Sequence, residues 1–128
     1  MSKIVLDASA ILASLLEEPG FENLTDEVLA DAVASTVNLA EVQTILVSRG
    51  YDPDEAWEDA LDQVNAAEPY TSEQARMAGN LVRSTGRLGL SVGDRSCLAL
   101  ALALGAEVYT ADRCWTGLDL GIPIHVIR

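Results

Sequence analysis

The sequence predicts an α/β protein whose parallel β-sheet is covered by helices on both faces. Apolar, β-branched strand patterns alternate with helical patterns along the whole chain of 128 residues. The connections are long enough for crossover helices, which parallel strands require and hairpins do not. Strands are predicted at residues 3–6, 34–37, 68–70, 107–110 and 124–127.

Apolar residues at helical spacing, bounded by capping residues, glycine or proline, predict the helices between these strands. One helix follows Asp7, a second covers Glu22–Asp31, and a third is opened by Asn38 and closed by Gly50. Further helices are predicted to start at 52–54 and at 72, to cover 93–104, and to form a short turn at 113–116.

The length of the chain predicts a single domain over residues 1–128, because no linker or low-complexity stretch divides it. The first residues lack a signal-peptide pattern, and the apolar run 97–104 is much shorter than the roughly 20 residues of a membrane span. We therefore expect a cytoplasmic protein. Cys97 and Cys114 lack metal-ligand spacing and are expected to be buried thiols in a reducing compartment.

Charge is distributed unevenly along the chain. The formal net charge is −12, which by itself argues against nucleic-acid binding. Residues 1–70, however, contain 15 acids and two basic residues, whereas residues 71–128 contain five acids and six arginines. A polyanion would therefore approach the C-terminal half more easily, while the acidic half would attract basic segments.

Four acids lie at the ends of predicted strands or at the starts of helices: Asp7, Glu41, Asp94 and Asp112. Each has an ordinary explanation in helix capping, and for any one acid alone capping is the favoured interpretation. Together they are harder to explain, because parallel strands bring these ends to one edge of the sheet, where neighbouring carboxylates repel. Oxygen ligands of this kind favour Mg²⁺ or Mn²⁺ over zinc.

The residues around these acids resemble the signatures of the PIN-domain family, and most closely those of VapC-type toxins of toxin-antitoxin systems. The similarity covers nearly the entire chain and lies in Asp7–Ser9, Glu41, Ser91–Ala99 and Thr110–Trp115. The resemblance implies a three-layer α/β/α sandwich with a five-stranded parallel sheet. It also implies a Mg²⁺-dependent endoribonuclease, with Mn²⁺ as a substitute, that forms homodimers and is inhibited by a cognate antitoxin.

Carried over by position, the resemblance makes Asp7 and Asp94 the central metal ligands, completed by Glu41 and Asp112. Ser9 and Thr110 would support them. Such a site would hydrolyse RNA phosphodiesters with one ion or two, without a side-chain nucleophile.

Two arginines, Arg95 and Arg113, each directly follow a proposed ligand and are candidates for phosphate contacts. Adjacent helical positions point in different directions, so either arginine is equally well explained as a surface residue.

Two other functions remain open at this point. An Asp-based phosphatase or phosphoacceptor domain also uses carboxylates at strand ends, but no second acid lies two positions after Asp7, and the only lysine is Lys3. A catalytically silent PIN-fold binding module is the other alternative, which the four acids disfavour. Metal-dependent thermal stability would separate a carboxylate cluster from four unrelated helix caps.

Overall fold

Five parallel strands form one sheet in the computed structural model, which describes residues 3–128. The prediction that no signal peptide begins the chain concerns residues 1–2 and so lies partly outside the described residues. The strands, in chain order, are β1 (Ile4–Leu6), β2 (Ala32–Ser35), β3 (Ala66–Glu68), β4 (Glu107–Thr110) and β5 (Ile124–Val126). Their order across the sheet is β3-β2-β1-β4-β5.

The α-helices connect these strands. In the described part of the chain they are α1 (Ala8–Leu16), α2 (Asp26–Ala30), α3 (Thr36–Ser48), α4 (Pro53–Asp62), α5 (Ser72–Asn80), α6 (Val82–Thr85) and α7 (Val92–Leu104). Short 3-10 turns occur at Phe21–Asn23, Gly86–Leu88 and Arg113–Trp115. None of the described helices is long and apolar enough to cross a bilayer.

Side chains of the central strands alternate between two hydrophobic clusters, one on each face of the sheet. In β1, Ile4 and Leu6 enter a cluster with residues of α1, α3 and α4, whereas Val5 enters a second cluster with residues of α5 and α7. The alternation follows from the two-residue period of a strand. Both faces are thus covered, and the α/β/α sandwich with a five-stranded parallel sheet is confirmed.

Two predicted boundaries near the second strand are wrong. The strand ends at Ser35, whose hydroxyl accepts a hydrogen bond from the Val37 amide and caps α3, so Asn38 lies inside the helix and does not open it. The preceding helix is also shorter than predicted, because Thr25 caps α2 and a separate 3-10 turn occupies Phe21–Asn23. Caps, rather than apolar spacing, set these boundaries.

The third strand lies two residues earlier than predicted. Its pairing with β2 joins Ser35 to Glu68 and stops there. Pro69 follows and has no N–H group to give to the sheet. The amide of Tyr70 instead donates to the hydroxyl of Thr36, at 3.2 Å.

The strand order places β1 between β2 and β4. The chain moves from β1 to β2 and β3 in one direction, then returns past β1 to place β4 and β5 on the other side. Leu6 of β1 is paired with Tyr109 of β4, so the residues that follow these two strands are neighbours. Reversal points of this kind, outside the carboxyl ends of parallel strands, are where open α/β sheets bind ligands.

Candidate active site

Asp7 lies at this reversal point and is almost completely buried, with an exposed fraction of 3%. Its Oδ1 accepts hydrogen bonds from the Ser9 hydroxyl at 2.7 Å and the Ala10 amide at 2.8 Å. Its Oδ2 accepts one from the Thr110 hydroxyl, at 2.6 Å. The contact with Ala10 caps α1, so the capping interpretation of Asp7 holds in part, but two further donors reach the same carboxylate.

Burial raises the pKa of Asp7 to about 6. Hydrogen bonds from Thr110, Ser9 and Ala10 lower it, and the neighbouring carboxylate of Asp94 raises it. Desolvation therefore outweighs three hydrogen bonds that favour the charged form. A carboxylate in these surroundings is better accommodated with a cation beside it.

The hydroxyls of Ser9 and Thr110 tie Asp7 to the segment that carries Asp112. Ser9 accepts a hydrogen bond from the Ala111 amide at 2.9 Å, and Thr110 accepts one from the Asp112 amide at 3.0 Å. Each hydroxyl thus donates to Asp7 and accepts from the backbone after β4. The two residues proposed as support for the acids are both in contact with Asp7.

Glu41 is held by two residues that sequence reasoning missed. The amide nitrogen of Asn38 donates to Glu41 Oε1 at 2.7 Å and to the carbonyl of Gly93 at 3.0 Å, and Asn38 is only 1% exposed. The carboxylate of Glu41 fills the space that a Cβ on Gly93 would occupy. Helix capping is the ordinary explanation for Glu41, but the partner of its carboxylate is this buried side chain. The only available signals were positions: Asn38 lies one helical turn before Glu41, and Gly93 directly precedes Asp94.

Asp94 and Asp112 both act as caps in this structure. Asp94 accepts from the Ser91 amide at 2.9 Å through Oδ2, while the Ser91 hydroxyl accepts from the Asp94 amide, which forms a capping box at the start of α7. Asp112 accepts from the Cys114 amide at 2.9 Å through Oδ1. Oδ1 of Asp94 and Oε2 of Glu41 receive no hydrogen bond from the described residues.

Contacts join the four acids in two pairs: Ser9 and Thr110 link Asp7 to the segment of Asp112, and Gly93 links Glu41 to the start of α7, where Asp94 lies. Burial raises the pKa of the Cys97 thiol, and the charges of Asp7, Asp94 and Glu41 raise it further. The pKa of Cys114 is raised by its hydrogen bond to Asp112, by the charge of Asp112, and less by Asp94. The charge of Asp94 thus raises the pKa of both cysteines. Cys97 is buried as expected, but Cys114 is exposed, so that part of the expectation was wrong.

The residues fit a hard divalent cation by their chemistry. Their donors are carboxylate oxygens, Asp7 is desolvated, and none of the four forms an ion pair with a basic side chain of residues 3–128. In the same range, no three carboxylate, histidine or cysteine side chains already stand in the arrangement that would hold an ion. Binding would therefore require side chains such as the capping aspartates to change rotamer.

The two arginines proposed for phosphate contacts have different positions. Arg95 points towards α5: its guanidinium donates to the carbonyl of Ala78 at 2.7 Å and of Leu90 at 3.5 Å. The structure thus does not bring Arg95 to the acids. Arg113 is exposed and lines an open cleft together with Ser9 and Asp112.

Comparison with known families matches residues 4–118 of this chain to the family described as PIN domain. The match covers most of the chain. The chain belongs to the PIN-domain family. No curated protein sequence gives a significant match to this PIN domain.

Solved structures with the same fold extend over nearly the whole PIN domain. A DNA-bound VapBC structure from Salmonella typhimurium has a TM-score of 0.76 at 17% identity, with 100% of both chains covered. VapC20 of Mycobacterium tuberculosis, described as a toxin that cleaves the sarcin-ricin loop, has a TM-score of 0.73 at 18% identity, with 94% of this chain and 100% of that chain covered. VapBC-5 from the same organism has a TM-score of 0.61 at 22% identity, with 100% and 99% covered. At these identities the likeness establishes the fold.

Proposed function

We propose that this PIN domain is a metal-dependent endoribonuclease and the toxin of a toxin-antitoxin pair. The observation that carries the proposal is the buried carboxylate of Asp7 at the reversal point of the sheet, linked through Thr110 to the segment of Asp112. No basic side chain of the described residues is paired with Asp7, Glu41, Asp94 or Asp112. A set of acids without counter-charge destabilises the folded state until a cation binds to it. VapC20, which has this fold, is described as a toxin that cleaves the sarcin-ricin loop.

Asp7 and Asp94 would be the principal ligands of Mg²⁺, or of Mn²⁺ in its place, with Glu41 and Asp112 completing the set. Bound there, one or two such ions would supply Lewis-acid activation for hydrolysis of a phosphodiester. Ser9 and Thr110 fix the orientation of Asp7, since each donates one hydrogen bond to a different oxygen of its carboxylate. Asn38 does the same for Glu41.

The negative charge of the site should attract the metal ion and also make RNA binding depend on that ion. Without a cation, the acids repel the phosphates of RNA, so the metal-free protein should bind substrate poorly. The desolvation of Asp7 strengthens its attraction for a divalent ion, because electrostatic interactions grow as the local dielectric falls. Metal and RNA are therefore expected to bind with positive cooperativity.

The proposed partners are an RNA substrate, a cognate antitoxin and a second copy of the chain. Neighbouring structures of this fold are described as VapBC and toxin-antitoxin complexes, which supports an antitoxin. The acidic half of the sequence would favour a basic antitoxin segment. Light scattering should give twice the mass of one chain if the homodimer forms, and the cytoplasm is the proposed location.

The decisive experiment is cleavage of total bacterial RNA by antitoxin-free protein. Discrete cuts should appear with Mg²⁺ or Mn²⁺ and disappear with EDTA. They should also disappear with Asp94→Asn, which keeps an oxygen to cap α7 but removes the charge. Asp119→Asn, at an exposed position outside the site, is the matched control and should cleave like the wild type.

Induced expression in bacterial cells tests the toxin role separately. Growth should stop with the wild-type chain and continue with Asp94→Asn at equal protein levels. Intact RNA in every sample, from folded protein that Mn²⁺ stabilises, would overturn the nuclease proposal. Release of phosphate from p-nitrophenyl phosphate would then support the phosphatase alternative.

A further inference from the structure

We propose that Arg113 and Arg128 form a subsite that holds a phosphate of the RNA beside Asp112. The inference rests on the proposed function, because it names the residues that position the substrate at the same site. The two arginines line one open cleft of about 510 Å³. Its other lining residues are Ser9, Ala111 and Asp112, so the cleft adjoins Asp112 directly.

Both guanidinium groups are anchored through Nε to backbone oxygens. Nε of Arg128 donates to the Ala111 carbonyl at 3.2 Å, and Nε of Arg113 donates to the backbone oxygen of Arg128 at 3.2 Å. Their terminal nitrogens donate no hydrogen bond to any other described residue. Anchoring of this kind lowers the entropy that each side chain loses when a ligand binds.

Neither arginine forms an ion pair with an Asp or Glu side chain of residues 3–128. The ion pairs among residues 3–128 are Lys3 with Glu68 and His125 with Glu107, both elsewhere on the sheet. Arginines next to carboxylates would be expected to pair with them, yet here both Nε groups donate to main-chain oxygens, and the terminal guanidinium nitrogens have no hydrogen-bond partner among the described residues.

A phosphodiester fits this arrangement better than other ligands. Planar guanidinium groups bind phosphate oxygens with two parallel hydrogen bonds, and backbone phosphates recur along an RNA chain at every nucleotide. A strand whose scissile phosphate lies at the acids would place a neighbouring phosphate in the cleft. An acidic segment of a protein partner is the competing occupant, and the test below distinguishes it.

The test measures binding of a fluorescein-labelled single-stranded RNA by anisotropy, with Mg²⁺, in the cleavage-deficient Asp94→Asn background. Replacing Arg113 or Arg128 by Gln should weaken RNA binding roughly tenfold each. Each replacement should also reduce the slope of log affinity against log salt by about 0.7, the value for one lost phosphate contact with a single strand. Arg128→Lys should keep the slope and lose part of the affinity, because lysine keeps the charge but lacks the planar guanidinium that donates two parallel hydrogen bonds.

Arg49→Gln is the matched control. Arg49 is exposed and follows the last residue of α3, a helix that starts at the carboxyl edge of β2 and extends about 20 Å away from it. Its removal should leave RNA affinity and salt slope unchanged. Thermal melting of every variant checks that the fold persists, and a variant that fails to fold is replaced by the corresponding Arg→Lys variant.

The outcomes separate this inference from the proposed function. RNA cleavage by otherwise wild-type Arg113→Gln and Arg128→Gln with unchanged KM, together with unchanged salt slopes, would overturn the subsite and leave the nuclease intact. Arginine-dependent RNA binding by a protein that never cleaves RNA would support the subsite and overturn the nuclease. Weaker binding of purified antitoxin with unchanged RNA affinity would assign the cleft to a protein partner instead.

Discussion

Asp7 has three hydrogen-bond donors around its carboxylate but no basic side chain of the described residues within ion-pair distance. The donors hold its orientation, while burial keeps its pKa high, at about 6. Orientation and charge are thus controlled separately at this residue. Protons and divalent cations are expected to compete for it, because each relieves the same desolvated negative charge.

The raised pKa of Asp7 predicts a pH dependence of stability in metal-free protein. The folded state keeps a proton near pH 5 that the unfolded chain has already lost, since the pKa rises from 3.8 to about 6 on folding. The contribution of Asp7 is therefore fully present below about pH 4 and is lost as pH rises through 6, on the order of 3 kcal/mol in total.

Urea unfolding in EDTA from pH 4 to pH 7 measures this effect as the difference between wild type and Asp7→Asn. The difference should change with pH in that window and level off above it. Asp119→Asn, an exposed matched change, should give a curve parallel to that of the wild type. Parallel curves for wild type and Asp7→Asn would contradict the prediction.

A second prediction concerns Gly93, because the Glu41 carboxylate occupies the space beside its Cα. Gly93→Ala should displace the Glu41 carboxylate and weaken Mn²⁺ binding, measured by calorimetry, with loss of RNA cleavage. Gly79→Ala is the control: Gly79 lies in α5 with open space around it. That change should stabilise the protein by about 0.5–1 kcal/mol through helix propensity and leave metal binding unchanged. Equal Mn²⁺ affinity for both variants would contradict the role given to Gly93.

At the scale of elements, α7 connects the core to the site. Its middle is buried against β1, β2 and β4 through residues such as Leu98 and Leu100, whereas its first turn carries Gly93 and Asp94. The buried part fixes the axis of the helix, and the capping box at Ser91 fixes where the helix begins. The position of Asp94 relative to Asp7 is a consequence of both.

Ser91→Ala tests the separation between capping and catalysis. Loss of the hydroxyl leaves the Asp94 amide without its partner and should cost about 1 kcal/mol of unfolding free energy. Asp94 itself is held through the backbone amide of Ser91, which the substitution keeps, so RNA cleavage below the melting temperature should persist. Thr25→Ala, which removes the cap of α2 outside the site, should show a similar stability loss. A loss of cleavage as large as that of Asp94→Asn would contradict this separation.

At the scale of the whole molecule, the fold places Asp7 and Asp112 after the neighbouring strands β1 and β4, and Glu41 and Asp94 in the first halves of α3 and α7. Their mutual repulsion opposes folding in the metal-free state and is relieved by a divalent ion that binds only when the fold assembles them. Stability should therefore depend on metal concentration.

Mn²⁺ should raise the melting temperature of the wild type, with about 2.7 kcal/mol of stabilisation at a hundredfold excess over the dissociation constant. Differential scanning calorimetry should show this rise shrinking in Asp94→Asn and persisting in Asp119→Asn. A wild-type melting temperature that does not change with Mn²⁺ would indicate four independent helix caps and no shared site.

The sequence alone determined the alternation of strands and helices and the parallel sheet, and it singled out the four acids as a predicted site. These features depend on short-range periods, caps and chain direction, which a sequence displays locally. The family followed from the same residues, because its signatures are runs of neighbouring positions such as Ser91–Ala99.

Only the tertiary structure decided which side chains meet. In the structure, the Asn38 side chain donates to Glu41, and the Glu41 carboxylate lies beside the Cα of Gly93. Arg95 points towards α5, whereas Arg128 lies beside Asp112. Each of these contacts joins residues from different elements, except the short-range pair within α3. Contacts of that kind depend on the packing of helices across the sheet and on the rotamers this packing allows, and neither is encoded in any local stretch of the chain.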